Sequence, residues 1–294
     1  MPIPMKITLL GSLCLGIGCA AIAQRPPLRE HTATQSQVIV PVAATERAGT
    51  NVVALTKTAT TRTIFANGIP DHLVGAFPNP GNPNTISEQQ VNLQVPLSPT
   101  RAQSLTSAQG WVFGVSVKGV VFDPFAAEFW QGNPRSGWNY DALGGAVPLG
   151  VDANYAHVQP QGTYHYHGVP FGLLALLRYD ASKHSPLVGY AADGYPIYAL
   201  TGILDGQLTQ VASSYVLKSG ARPGGDAPTG DYDGAFVQDY EYVADFGNLD
   251  TCNGAFTQSA EYPNGTYAYF LTPEFPFVPR CFTGTPDAGF KHGF

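Results

Sequence analysis

Two of the seven histidines in this 294-residue chain stand in the run Gly162-Thr163-Tyr164-His165-Tyr166-His167-Gly168. Tyrosine and histidine alternate there, so in an extended strand Tyr164 and Tyr166 point one way and His165 and His167 the other. Two imidazoles spaced like this lie roughly 6–7 Å apart, close enough to ligate one metal ion. A histidine-held metal needs three or four ligands. His157 is the natural third, because Gln159-Pro160-Gln161-Gly162 offers a turn that folds it back. His72 and Glu128 are further metal-ligand candidates, more distant in sequence. The competing structural reading has His165 and His167 bonded to buried carbonyls and His157 on a surface loop.

Which metal the histidines would take depends on the other soft ligands in the chain. Lys6, the apolar stretch Ile7 to Ile17 and the small-x-small site Ala21-Ile22-Ala23 read as a signal peptide over residues 1–23, with the mature chain starting at Gln24. The stretch is too short and glycine-interrupted for a transmembrane helix, and no integral membrane segment is expected downstream. Lipidation at Cys19 is an alternative, with Gly16 standing where an aliphatic residue is usual. Cleavage removes Met1, Met5, Cys14 and Cys19, leaving Cys252 and Cys281 as the only sulfurs. In an oxidising periplasmic or secreted setting these two most simply pair as a disulfide. Blue-copper and methionine-rich copper chemistry are then excluded, and nitrogen ligands favour copper or zinc.

Composition sets the frame around the histidines. Charged residues make up 12% of the chain and the net charge is −6, which gives no footprint for nucleic acid or an anionic membrane. With 33 glycines and 25 prolines, the expected fold class is mainly β with a few short helices, a single compact turn-rich domain of sandwich or barrel type. Residues 24–50 lack apolar periodicity and read as a flexible linker, placing the domain at 51–294.

Strand signals fall at Thr61 to Phe65, Val91 to Val95, Trp111 to Val121, Leu187 to Tyr190, Tyr195 to Leu200, Ser214 to Leu217 and Phe236 to Val243. A helix is expected at Phe171 to Arg178 behind Pro170, and a helical turn at Ala126 to Trp130. The run Gly265-Thr266-Tyr267-Ala268-Tyr269-Phe270 echoes Gly162 to His167 with both tyrosines in register. Ala268 and Phe270 replace the histidines, so the tyrosines are assigned to packing and the histidines to something the strand does not need.

The chain resembles the YHYH-domain proteins, an exported family named for the tetrapeptide at Tyr164 to His167. The likeness runs through Asn67-Gly68-Ile69-Pro70-Asp71-His72, Ala127-Glu128-Phe129-Trp130, His157-Val158-Gln159-Pro160, Gly189 to Tyr198, Leu249 to Gly254 and Pro279-Arg280-Cys281-Phe282. It implies export and a common fold, and it brings no generally established reaction.

Other candidates carry weaker chemistry. Asp193-Gly194 and Asp250 with Asn253-Gly254 are first of all turns, with a general-base or ligand-orienting role as the alternative. Asp226, Asp231 and Asp233 supply oxygen ligands for calcium without the EF-hand spacing. The reading is an exported protein with one mononuclear copper or zinc site, its reaction open. The alternative is a non-catalytic structural or carbohydrate-binding module whose small-molecule or glycan partner meets its aromatics.

Overall fold

A computed structural model describes residues 31–291. The signal-peptide assignment at residues 1–23 lies outside the described residues. Strands β1 (Val53–Lys57), β2 (Thr61–Ala66) and β3 (Val91–Pro96) form an antiparallel three-stranded sheet, and β4 (Arg101–Ser107) follows. Next come β5 (Gly114–Ser116), β6 (Val121–Phe122), β7 (Ala156–Val158), β8 (Tyr164–Tyr166) and the helix α1 (Phe171–Leu176). Strands β9 (Gly189–Ala191), β10 (Pro196–Ala199), β11 (Thr201–Leu204), β12 (Gln207–Gln210), β13 (Tyr215–Leu217) and β14 (Tyr240–Tyr242) succeed it. The last three are β15 (Gly254–Thr257), β16 (Thr266–Leu271) and β17 (Cys281–Gly284).

The organising element is an eight-stranded mixed sheet in the order β15-β16-β10-β9-β5-β6-β8-β7. Most of its pairs are antiparallel, but β10 with β16 and β6 with β8 run parallel. Away from the edge strand β15, its strands are buried at nearly every position, with both faces covered. The main core joins Val115, Phe122, Tyr164, Tyr166, Ile197 and Tyr269. A second core packs Tyr140, Trp130, Val151 and Phe236 together. The fold is mainly β, as composition indicates, and the described residues form no closed barrel.

Local chemistry explains where the strands break. The expected strand from Trp111 to Val121 is instead the β5–β6 hairpin. Gly119 turns it at φ 79°, and an added Cβ would lie 2.1 Å from the Cβ of Ala66. Ala126 to Trp130 is extended rather than helical, with Phe129 bridging Asn139 and Trp130 bridging His31. The Phe236 to Val243 stretch starts with a 3₁₀ turn at Val237–Asp239 and becomes strand at β14. The Asp239 carboxylate accepts from the amides of Gly234 and Phe236, which holds the chain in that turn.

The segment expected as a flexible linker is anchored over its described part. Val42 bridges Asp152 and Glu46 bridges Val74. Tyr140 donates its hydroxyl to the carbonyl of Ala33 at 2.8 Å, and Arg222 donates to that of Thr34 at 2.6 Å. Arg222 is buried against Asp239, so an ion pair far away in sequence fixes this strap. The strap's sequence lacks apolar periodicity, and that pattern carries no record of the partners its backbone amides and carbonyls find elsewhere.

Cys252 and Cys281 form a disulfide with Cα atoms 5.1 Å apart, tying the approach to β15 onto β17.

Candidate metal centre

His157 sits on β7 directly opposite His165 on β8, as the antiparallel register pairs them. The connecting turn is the one the sequence suggests: Gly162 donates its N–H to the Gln159 carbonyl at 2.8 Å, and Gln159 donates to Thr163 at 2.9 Å. Gly162 has φ 91°, and a Cβ there would press on Ser87 Oγ. Cross-strand partners share a face, as do positions two apart, so His157, His165 and His167 project together. Val121 and Asp123 project with them from the parallel strand β6 and its continuation.

The three imidazoles converge through their Nε2 atoms. Nε2 of His167 lies 3.0 Å from that of His165 and 3.1 Å from that of His157. Two nitrogens each about 2.0–2.1 Å from one ion lie about 2.9 Å apart at a right angle and about 3.3 Å at a tetrahedral angle. Both observed spacings fall in that interval. This is the group of metal-ligating side chains that the described residues bring together.

The outer nitrogens fix the orientation of two of the rings. Nδ1 of His157 faces the Leu149 carbonyl at 3.0 Å, and Nδ1 of His165 faces the Thr163 carbonyl at 3.2 Å. Carbonyl oxygens only accept, so both contacts call for a proton on Nδ1, which leaves the Nε2 lone pairs directed inward; the Asn82 side-chain amide, a donor, lies farther from His157 Nδ1 at 3.2 Å and is the weaker contact. Asn82 reinforces β7 by donating to the Val158 carbonyl at 2.9 Å. In the metal-free state one Nε2–H of His167 can serve only one of its two neighbours at a time. Its Nδ1 is buried without a hydrogen bond of ordinary geometry.

Electrostatics keep His157 and His167 neutral. Burial, then repulsion from His165, pushes His157 down to about 3. Burial, followed by its two histidine neighbours, holds His167 well below 6.5, while the Asp123 backbone acts in the opposite sense. Neutral imidazole is the form that ligates a metal. A cleft of about 360 Å³ opens on the same sheet face, walled in part by Val121, Asp123, Gln159 and Thr163. These are the sheet neighbours of the histidines, which do not line the cleft themselves.

His72 and Glu128 do not join the group. Nε2 of His72 is 2.6 Å from the Tyr166 hydroxyl and its Nδ1 is 2.8 Å from the Leu73 carbonyl, so both ring nitrogens are engaged on the tyrosine side of β8. Glu128 is partly buried in the segment that bridges to Asn139 and Trp138, and desolvation raises its pKa. Asp226, Asp231 and Asp233 do not form a ligand cluster either, since the Asp233 carboxylate pairs with Arg222.

The sequence pattern of the YHYH protein family matches residues 92–284. The chain belongs to the YHYH protein family. No curated protein and no solved structure matches it at a significant level. All three histidines fall inside the YHYH match, whereas His72 precedes it.

The tyrosines of the YHYH motif do more than fill space. Tyr164 donates to Asp152 Oδ2 at 2.7 Å, and the same oxygen accepts from the Gly75 amide at 2.9 Å. The echoed strand β16 repeats the device. Tyr269 donates to Asp193 at 2.6 Å and Tyr267 to Asp250 at 3.0 Å. Asp250 also accepts from the amides of Cys252 and Gly254, which makes it the turn residue the sequence indicates, with a tyrosine hydroxyl added. Sequence reasoning missed Asp152 and Asp123, whose only local signals are a following Ala153-Asn154 and Pro124.

Proposed function

We propose that the protein is an exported metal-binding protein with one mononuclear site formed by His157, His165 and His167, taking Cu²⁺ or Zn²⁺. The observation that carries this reading is the convergence of three inward Nε2 atoms at metal-ligand spacing. A stable buried core has no use for three imidazoles aimed at one point, because their lone pairs repel. With no thiolate or thioether in the set, the donor chemistry suits zinc or Cu(II).

Three protein ligands leave one tetrahedral position for water or a small ligand, the pattern of sites that do chemistry rather than closed structural ones. A bound ion would supply Lewis acidity there. The carbonyls of Leu149 and Thr163 hold the tautomers of His157 and His165, and the apolar sheet around them excludes bulk water. Export is supported by the Cys252–Cys281 disulfide, which persists in oxidising compartments.

Metal analysis of protein purified without a histidine tag, after offering Zn²⁺ and Cu²⁺, tests the proposal. Near one equivalent is expected, lost in the His165→Ala/His167→Ala double variant. A paramagnetic resonance spectrum then distinguishes Cu(II) with nitrogen ligands from a silent ion. Only trace metal in the wild-type protein after this exposure refutes the site.

A further inference from the structure

Two buried arginines, Arg62 and Arg222, and the largely buried Arg280 differ in what answers their charge. Arg222 is saturated: it donates to both oxygens of Asp239, to Asp233 and to the carbonyls of Thr34 and Thr229. Arg280 donates to Asp141 at 2.6 Å. Arg62 on β2 is 4% exposed, yet among the described residues no carboxylate pairs with it. Its Nε and Nη1 are buried and make no hydrogen bond of ordinary geometry.

The surroundings of Arg62 are those of a recognition site rather than of a packing accident. Its guanidinium carbon sits 3.5 Å from the centroid of the Tyr190 ring, a stacking arrangement that orients the planar fork. The hydroxyl oxygens of Tyr190, on β9, and of Tyr262 lie beside it as neutral acceptors of the guanidinium, and each keeps its own O–H to donate. The neighbouring carboxylate, Glu261, is committed elsewhere, accepting from Tyr198 at 3.2 Å and from Ser259 at 3.1 Å. A cation taken out of water without a counter-charge is costly, and proteins retain one where a counter-ion completes it.

We propose that Arg62, with the hydroxyls of Tyr190 and Tyr262, binds a small oxyanion of the carboxylate or phosphate type at a site separate from the histidine cluster. The orphaned Nε and Nη1 would each meet an oxygen, and the ring of Tyr190 holds the fork in place while the two hydroxyls complete the shell.

The test titrates the full chain with inorganic phosphate and, in a separate arm, with acetate, at ionic strength held constant with chloride. Calorimetry and thermal denaturation are the readouts. One saturable site is expected for one or both anions, with a rise in Tm of about 3–6 °C at ten times Kd. The two arms distinguish phosphate from carboxylate chemistry. Arg62→Met abolishes the saturable response, and Arg62→Lys, which keeps the charge but not the fork, binds about tenfold weaker or worse. The His165→Ala/His167→Ala double variant retains the response, which separates this site from the metal centre. Absence of saturable binding of both anions to the wild-type protein overturns the inference. So does equal binding by Arg62→Met or, if that variant does not fold, by Arg62→Lys.

Discussion

Replacing His167 by leucine should make the metal-free protein more stable while destroying its affinity for metal. His167 is 3% exposed, its Nδ1 has no hydrogen bond of ordinary geometry beyond the Asp123 backbone near it, and its Nε2 faces two ring nitrogens at 3.0 and 3.1 Å. Since His157 and His165 present lone pairs, one of those two contacts lacks a proton at any moment. Two buried polar positions are thus uncompensated, and each costs about 1–3 kcal/mol. Leucine is close to histidine in volume and apolar, so it removes both penalties without opening a cavity, at the loss of one N–H···N bond worth about 1 kcal/mol. The expected gain is about 1–5 kcal/mol, at about 2–4 °C of Tm per kcal/mol. Denaturant melts of chelator-treated protein measure it, with calorimetric Zn²⁺ and Cu²⁺ titrations alongside. A metal-free His167→Leu protein less stable than wild type by 1 kcal/mol or more would mean that the histidine serves the fold through its hydrogen bonds. The orphaned-donor reasoning would then be wrong.

Three further outcomes follow from the same structure. The metal-free protein loses stability as pH falls from about 6.5 towards 3, because His157, pushed down to about 3, stays neutral in the fold and protonates in the unfolded chain. Each such histidine contributes a slope of up to about 1.4 kcal/mol per pH unit, to be read from denaturation midpoints at several pH values, and a flat profile contradicts it. Breaking the Cys252–Cys281 bridge, whose sequence separation is 29, costs about 3–4 kcal/mol and lowers Tm by about 10 °C, measured on the Cys252→Ser/Cys281→Ser double variant. Tyr164→Phe removes the 2.7 Å bond to Asp152 and costs about 1.5–3 kcal/mol in denaturant melts. It leaves metal stoichiometry unchanged, and loss of metal in this variant would show that the two faces of β8 are coupled.

Much of the candidate site was legible along the chain because its geometry is local. Alternation over four residues separates His165 and His167 from Tyr164 and Tyr166, and the Gln159 to Gly162 turn returns His157 to the same face. The pairing of Cys252 with Cys281 was likewise expected from the sequence, and the disulfide joins them. Strand positions were recoverable where β-branched and aromatic runs end in turn residues, as at β2 and β3.

Tertiary structure decided what sits behind and around those residues. His72 was a more distant ligand candidate than His157, with no local turn to place it. Only the packing of the Asp71-His72 turn against β8 puts His72 on the tyrosine face, where the Tyr166 hydroxyl engages its Nε2. Asp123 reaches the histidine face because β6 pairs parallel with β8 across a long connection, a register that no local period encodes. The acceptors that set the histidine tautomers are backbone carbonyls, and any residue type supplies one. Side-chain pattern and turn chemistry are written into neighbouring residues, whereas hydrogen-bond partners and buried charges depend on which distant strands meet.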